Sequence, residues 1–393
     1  MQQDATIERS INSPAASPQA ATRQDRIASV DILRGLVMAL MALDHTRDFF
    51  GTGGFNPRDV TEPALFLTRW ITHFCAPTFI FLAGLSAFLY GRGRSTGELA
   101  HFLVTRGLFL ILIDVTLIKF GWRFEADLFS LGAGVIFVIG ASMIALAALI
   151  WLPRWALAAF ALLMIAGHNL LDGIGAGRFG ALSPLWHFLH QPGEVPLGER
   201  VSAYVVYPLI PWVGVMAAGY ALGPVMLRGP EERQRILFWL GAAITLGFVV
   251  LRASNVYGDP ESWTVQATWL STLLSFLNCE KYPPSLLYLT MTLGPALMGL
   301  AAFEHARGRL ADWLTVFGRV PFFFYVVHIY VIHALAVATG YVTTGALMPA
   351  PELGFDLPGV YLVWALALLL LYPLCRRFAA LKAHRREWWW SYV

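Results

Sequence analysis

A single apolar stretch near the N-terminus, SVDILRGLVMALMALDHTRDFF (29–50), combines residue types that could do chemistry. Arg34 and His45 lie eleven residues apart, so on an α-helix they return to within roughly 20° of the same face. Asp31 and Asp48 each lie three residues beyond one of them, on the same stripe. One helix would therefore present a cation at one end and an imidazole about 16 Å further along. Because ionisable groups in a bilayer are costly, we predict that this stripe faces a cavity.

Other polar residues in apolar surroundings are candidates for lining the same cavity. They are His73, Asp114, His328 and His333. His328 and His333 are about 140° apart around a helix, so they cannot act as a metal pair. An isolated histidine in a span is usually an interhelical hydrogen-bonding residue, and Asp114 is as readily explained by pairing with an arginine.

The three cysteines, Cys75, Cys279 and Cys375, form no CxxC pair, and we predict three unpaired thiols. Neither a GxxxxGK[ST] loop nor an HExxH motif occurs, which argues against P-loop ATPases and zincins. No metal is expected.

Composition defines the elements that must position these groups. The chain is 57% hydrophobic and 13% charged, against about 25% charged in soluble domains. Its net charge of +3 is too small to suggest a nucleic-acid partner. We predict an all-α, polytopic membrane protein with about ten transmembrane helices, placed near 30–50, 65–90, 101–119, 128–151, 155–171, 203–223, 236–252, 284–303, 313–338 and 358–375.

Orientation follows from the distribution of Arg and Lys. Basic residues concentrate in the loops that lie inside if the N-terminus is inside, for example at Arg92, Arg154 and Arg376. This bias predicts cytoplasmic N- and C-termini. We divide the chain into a disordered tail (1–25), a transmembrane domain (26–378) and a basic, aromatic cytoplasmic tail (379–393). The long outer loops, about 172–202 and 253–283, are expected to fold over an external opening.

The opening helix resembles that of the heparan-α-glucosaminide N-acetyltransferase catalytic-domain family in its SVDxxRG start, Met-rich run and polar exit. The stretches LTRWITHFCAPTFIFLAGLSA, SFLNCEKYPPSLLYLTMTLGPAL and GRVPFFFYVVHIYVIHA resemble bacterial members, and the resemblance extends from about residue 26 to the C-terminus. The spacing of Arg34 to His45 also resembles the R-G-x9-H pattern of the wider membrane acyltransferase superfamily.

This resemblance implies transfer of an acyl group, expected to be acetyl, from cytoplasmic acyl-CoA to a sugar or glycan on the outer side of the plasma membrane. Cations at the inner mouth would bind the phosphates of the donor; we assign Arg34, Arg106 and Arg319. His45 is the expected general base. Either Asp44 or Asp48 would fix its tautomer, and Asn278 or Lys281 would steady the oxyanion.

Two other functions remain open from the sequence. A transporter or flippase would use the Arg34–His45 stripe as a proton or substrate path, and Pro77, Pro211, Pro295 and Pro321 are a weak sign of broken helices. A membrane scaffold would need no such stripe. Membrane lipid and the acceptor are the expected partners, and relatives in the family imply a homodimer.

Overall fold

A computed structural model describes residues 27–52, 56, 58–126, 129–345, 353–385, 387, 390 and 392. The predicted N-terminal tail, 1–25, lies outside the described residues. The three cysteines are buried and free, as the sequence predicts.

The described chain is predominantly α-helical, which confirms the predicted fold class. The helices are α1 (Ala28–Phe50), α2 (Pro63–Thr72), α3 (Cys75–Gly91), α4 (Thr96–Ile113), α5 (Lys119–Arg123), α6 (Val135–Leu149), α7 (Arg154–Gly167), α8 (Ser183–Leu189), α9 (Leu209–Leu222), α10 (Pro230–Ser254), α11 (Trp269–Leu277), α12 (Leu286–Phe303), α13 (Arg309–Arg319), α14 (Pro321–Thr344) and α15 (Leu357–His384). A π-helical turn, Asp114–Ile118, joins α4 to α5.

Among the described residues, eight continuous helical segments are long and apolar enough to cross a membrane. Two further helices correspond to the remaining predicted spans. Helix α1 has the length but carries five charged side chains, and α6 is apolar but only 15 residues long. The protein is therefore a multi-pass helical membrane protein.

Several predicted spans have different boundaries in the structure, among them the ninth, the fourth and the sixth. The ninth, 313–338, is two helices, because the chain turns at Val320 and Pro321 opens α14. The fourth, 128–151, begins instead with a short strand, β1 (Ser130–Ala133), and the sixth, 203–223, with β3 (Ser202–Val205). Runs of four apolar or small residues fit a strand as well as a helix, so periodicity alone could not separate them.

The strands form a small sheet in the order β1–β3–β2, where β2 is Gly193–Pro196. Strand β1 runs parallel to β3, with Ser130 opposite Ser202. Strand β2 runs antiparallel to β3, with Glu194 opposite Tyr204. The sheet thus ties the predicted outer loop 172–202 to the segment before α6.

Helix α1 lies in the middle of the bundle, where it packs against α3, α12, α13, α14 and α15. Glycines permit its close approach to α13: a Cβ on Gly35 would collide with the carbonyl of Leu314, and one on Gly318 with the carbonyl of Asp31. Small residues allow such backbone contact between membrane helices. This packing fixes the start of α1, and with it Arg34.

The predicted division between the transmembrane domain and the C-terminal tail, at 378/379, falls inside a continuous helix, since α15 extends to His384. Beyond it, Trp390 packs on Phe378, and the hydroxyl of Tyr392 lies 2.6 Å from that of Thr105 in α4. The residues after α15 therefore return to the middle of α4.

Candidate active site

Two cavities occupy opposite ends of the region around α1, α4 and α14. The first, which we name the basic cavity, has a volume of about 320 Å³ and includes Arg34 in its lining. The second, named the histidine cavity, has a volume of about 380 Å³ and includes His45. Val135 and Tyr325 line both, so the two cavities adjoin beside α1. Of the predicted polar stripe, Arg34 lines the first cavity and His45 and Asp48 line the second, whereas Asp31 lines neither.

The basic cavity contains all three cations that the sequence analysis assigned to donor binding. Arg34, Arg106 and Arg319 line it, together with Lys382 from α15, which we did not predict. The rest of its wall is largely apolar or aromatic, including Phe79, Phe102, Ile139 and Met143. Four cations at one end of an apolar cavity suit a ligand with a polyanionic head and a less polar arm.

Arg34 is held in place by the packing of α1. Its guanidinium donates to the Asp31 carboxylate (3.2 Å), to the carbonyl of Gly318 (3.1 Å) and to the hydroxyl of Ser86 (2.9 Å). Asp31 is buried and pairs with Arg34, whereas we had expected it to line the cavity. A guanidinium fixed by three partners is preorganised for an anion.

His45 lines the histidine cavity and contacts another predicted residue, His328 of α14. The Nδ1 atom of His45 lies 2.7 Å from Nε2 of His328, whose own Nδ1 lies 3.0 Å from the carbonyl of Phe324. A carbonyl only accepts, so Nδ1 of His328 carries a proton, and the neutral ring accepts at Nε2. His45 therefore donates from Nδ1, which leaves Nε2 as its basic atom.

The structure does not give Asp44 and Asp48 the predicted role of fixing the His45 tautomer. Both oxygens of Asp44 accept from Arg69 (3.0 and 2.8 Å), and one lies 2.9 Å from Arg47. Asp48 is partly exposed and pairs with Arg47 at 2.8 Å. Asp44 is adjacent to His45 in sequence, but adjacent residues on a helix point in different directions. Asp48 shares a face with His45, but its carboxylate pairs with Arg47. Both aspartates nevertheless line the histidine cavity.

Asp114 lines the histidine cavity from the π-helical turn after α4. Its carboxylate accepts from the backbone N–H of Gly134 at 3.1 Å and from that of Phe137, at the start of α6. An acidic group at a helix N-terminus is stabilised by the unpaired N–H groups there. Asp114 thus holds α6 against α4, in place of the arginine pair that we had considered.

Lys281 and Tyr282 enter the histidine cavity from the loop before α12. The hydroxyl of Tyr282 is hydrogen-bonded to Tyr207 and Lys281. Burial raises the pKa of Tyr282, but the positive charges of Lys281 and Arg69 outweigh it and hold this pKa below its usual value. An acidified phenol beside an ammonium group can donate hydrogen bonds to developing negative charge.

The remaining predicted site residues lie away from the cavity linings. Asn278 accepts from Arg58 and Arg252 and so stabilises the loop. His73 is buried at the junction of α2 and α3, beside Tyr288. His333 lies 2.8 Å from the carbonyl of Gly121 and stacks on Phe124. None of these three lines either cavity.

Two short stretches fit patterns known from soluble enzymes but do not build a site. GRSTG at 93–97 has the GxSxG pattern, yet Ser95 caps α4 through a capping box with Glu98. GAGRFG at 175–180 has the GxGxxG pattern, but it follows a 3₁₀ turn and forms another, with no strand before it or long helix after it. A dinucleotide fingerprint requires that strand–turn–helix context.

Sequence reasoning missed several residues of the histidine cavity, among them Arg69, Trp122 and Tyr282. Arg69 was a visible signal, because it is an arginine in a predicted span. Trp122 packs edge-on against the His45 ring at 4.7 Å, and Tyr282 follows the predicted Lys281 in the loop. Aromatic residues are common in membrane proteins, so their types alone gave no indication.

The helical bundle and its paired cavities define a multi-pass membrane protein with an internal polar site. The family model described as "Heparan-alpha-glucosaminide N-acetyltransferase, catalytic" matches residues 26–257, which is more than half of the 393-residue chain. The chain belongs to this family, and it is a membrane acetyltransferase. No curated protein matches it. The matched region contains Arg34, His45, Arg69 and Arg106, whereas Lys281, Tyr282 and Arg319 follow it in the sequence.

Proposed function

We propose that the protein transfers an acetyl group from acetyl-CoA in the basic cavity to an amine or hydroxyl of a sugar in the histidine cavity. The observation that carries this proposal is the junction of the two cavities at Val135 and Tyr325. A donor and an acceptor approaching from opposite ends would meet there, beside His45. The family description, which names a glucosaminide, supports an amino sugar or related glycan as the acceptor class.

The basic cavity suits coenzyme A. Arg34, Arg106, Arg319 and Lys382 would bind its phosphates. The apolar wall would take the pantetheine arm and direct the thioester toward Tyr325. The cations belong to the end of the bundle where α1 begins, and the positive-inside bias supports a cytoplasmic position for this end, where acetyl-CoA is made. The proposal therefore includes cytoplasmic termini and a location in the plasma membrane.

The proposed chemistry is direct transfer. The acceptor nitrogen or oxygen attacks the thioester carbonyl carbon while Nε2 of His45 takes its proton. The carbon–sulfur bond then breaks, and the coenzyme A thiolate leaves and recovers that proton from the imidazolium. His328 stabilises the imidazolium through its Nε2 atom. Lys281 and Tyr282 stand in the same cavity and would steady the tetrahedral oxyanion.

Two measurements on the purified protein test this function. Calorimetry should show that coenzyme A binds equally to wild type and His45→Gln, and that Arg319→Gln weakens binding. With labelled acetyl-CoA and glucosamine in proteoliposomes, wild type should transfer the label and His45→Gln should not. His101→Gln, at an exposed position of α4, is the matched control. Folded wild type that does not bind coenzyme A would contradict the proposal and favour a transport path through the same two cavities.

A further inference from the structure

A second cluster of ionisable side chains lies outside both cavities, where α7 ends. His168 opens the 3₁₀ turn His168–Leu171, Asp172 follows that turn, and His190 ends α8. His168 and Asp172 are four residues apart along a helical path, so their side chains share one face. One ligand-capable atom from each residue lies within 4.8 Å of the other two.

The two histidines are buried and lack partners that would explain their burial. His168 is 2% exposed and His190 is 3% exposed. Within the described part of the chain, neither ring nitrogen of His168 has a hydrogen-bond partner, nor has Nδ1 of His190. A buried polar atom without a partner costs about 1–3 kcal/mol. A ligand that binds imidazole nitrogen would offset this cost for the three atoms of the cluster.

The distances suit a single metal ion. Nε2 of His190 lies 3.1 Å from Oδ1 of Asp172, close to the separation of about 3.3 Å between two ligands of one tetrahedral Zn²⁺. Ligands of a tetrahedral Zn²⁺ lie about 3.3 Å apart, so a pair at the 4.8 Å limit would have to close by about 1.5 Å. Rotation of a side chain is enough for that change.

A supporting residue orients the carboxylate. Asn169 donates from Nδ2 to Oδ2 of Asp172 (2.8 Å), and its own Oδ1 accepts from the backbone of Leu286 (2.9 Å). This leaves Oδ1 of Asp172 turned toward His190. Hydrogen bonds of this kind orient the ligands in established metal sites.

We infer that His168, Asp172 and His190 form a Zn²⁺ site where the end of α7 meets the predicted outer loop, with a water as fourth ligand. Two imidazoles and one carboxylate are a zinc-type ligand set, whereas Ca²⁺ and Mg²⁺ prefer oxygen alone. The sequence predicts no metal here, because these residues form neither a ligand pair within one helix nor a known metal-binding motif. Here the third ligand comes from a separate helix, and only the fold brings it close.

The site has a structural consequence for the histidine cavity. His190 precedes β2, and β2 pairs with β3, where Tyr204 lines that cavity. A bound ion would therefore join the end of α7 to the loop that forms one wall of the cavity. The inference depends only on this ligand geometry, so its test does not depend on whether the protein transfers acetyl groups.

The test is metal binding by the full-length protein in detergent. The protein is stripped with a chelator, equilibrated with buffered Zn²⁺, desalted and analysed for metal by mass spectrometry. We expect about one Zn²⁺ per chain in wild type and at least about a tenfold loss of affinity in His168→Gln and His190→Gln. His187→Gln is the matched control, because His187 lies on α8 beside the cluster but contacts the carbonyl of Gln191.

Cobalt provides a readout of geometry. Co²⁺ in a four-coordinate site absorbs strongly in the visible range, and we expect this absorption in wild type and His187→Gln but not in the two cluster variants. Size-exclusion chromatography identifies any variant that fails to fold, and Asp172→Asn then replaces it as the cluster variant. Wild type holding well under one Zn²⁺ per chain, or cluster variants that bind like wild type, would overturn the inference. Loss of Zn²⁺ with His187→Gln alone would also overturn it.

Discussion

His45 of α1 and His328 of α14 contact each other through Nδ1 and Nε2 at 2.7 Å, and this contact determines which nitrogen of His45 is basic. The chain of donors runs from His45 to His328 and from His328 to the carbonyl of Phe324. It requires no carboxylate. The neutral partner holds the imidazole in one tautomer, as an aspartate does in a hydrolase triad.

Replacing His328 should therefore slow acetyl transfer without affecting donor binding. In His328→Leu, Nδ1 of His45 loses its acceptor, and the loss of about 1–1.5 kcal/mol corresponds to roughly a tenfold lower kcat. His328→Gln should recover much of the rate, because its side-chain carbonyl can accept the same hydrogen bond. The measurement is steady-state transfer of labelled acetyl, with KM for acetyl-CoA recorded in parallel.

His333→Gln is the control for this pair, since His333 lies on the same helix but contacts the backbone of Gly121. It should leave kcat close to that of wild type. An equal loss of rate in His328→Leu and His328→Gln would show that the ring itself, rather than its acceptor atom, is needed. A rise in KM with unchanged kcat would contradict the positioning role.

Replacing Arg106 tests the basic cavity and should disturb the fold less than replacing Arg34, because the side chain of Arg34 is hydrogen-bonded to α13. If Arg106 binds a phosphate of the donor, Arg106→Gln removes a charge-assisted hydrogen bond of about 1.5–3 kcal/mol. KM for acetyl-CoA should rise about 10- to 100-fold, with kcat nearly unchanged. Arg235→Gln, at an exposed position on α10 outside both cavities, should bind the donor as wild type does. Equal KM values for the two variants would remove Arg106 from the donor site.

The sequence predicted the bundle well because apolar spans and buried charges leave clear patterns. Arg34, Arg106 and Arg319 were assigned together and do line one cavity. Each is a cation near the same predicted membrane surface, so membrane topology alone brought the three to one end of the molecule.

The histidine cavity was less predictable because its partners are set by packing. The contact of His45 with His328 depends on how α1 and α14 are rotated against each other, and a single helical period does not encode that rotation. Likewise, Asn278 and Lys281 are three residues apart in one loop, but only Lys281 reaches the cavity. Loops have no periodicity from which to infer the direction of a side chain.

Ionisation of Tyr282 should lower the rate of acetyl transfer at alkaline pH. The charges of Lys281 and Arg69 hold its pKa below the usual value of about 10. The hydroxyl can donate a hydrogen bond only while protonated, so transfer should decline as pH rises through that lowered pKa. Tyr282→Phe should have a lower rate that stays flat over the same range, since no proton remains to be lost.

The pH profile of transfer, corrected for spontaneous thioester hydrolysis, measures this effect. Tyr341→Phe, at an exposed position on α14, should keep the wild-type profile. If the alkaline decline persists in Tyr282→Phe, another group is responsible for it.

The contact between α1 and α13 should be among the least tolerant of added volume. A Cβ at Gly318 would collide with the backbone carbonyl of Asp31, and backbone cannot move aside as a side chain can. Gly318→Ala should therefore destabilise the fold by about 1–3 kcal/mol and lower Tm measured in detergent by a few degrees or more. It should also weaken coenzyme A binding, because the carbonyl of Gly318 accepts from Arg34 at 3.1 Å.

Gly340→Ala on α14 is the control. Its Cβ has open space, so both Tm and coenzyme A binding should stay close to wild type, or Tm should rise slightly. A Gly318→Ala protein with unchanged Tm would mean that α13 is free to move away from α1, and the position of Arg34 would then not depend on the carbonyl of Gly318.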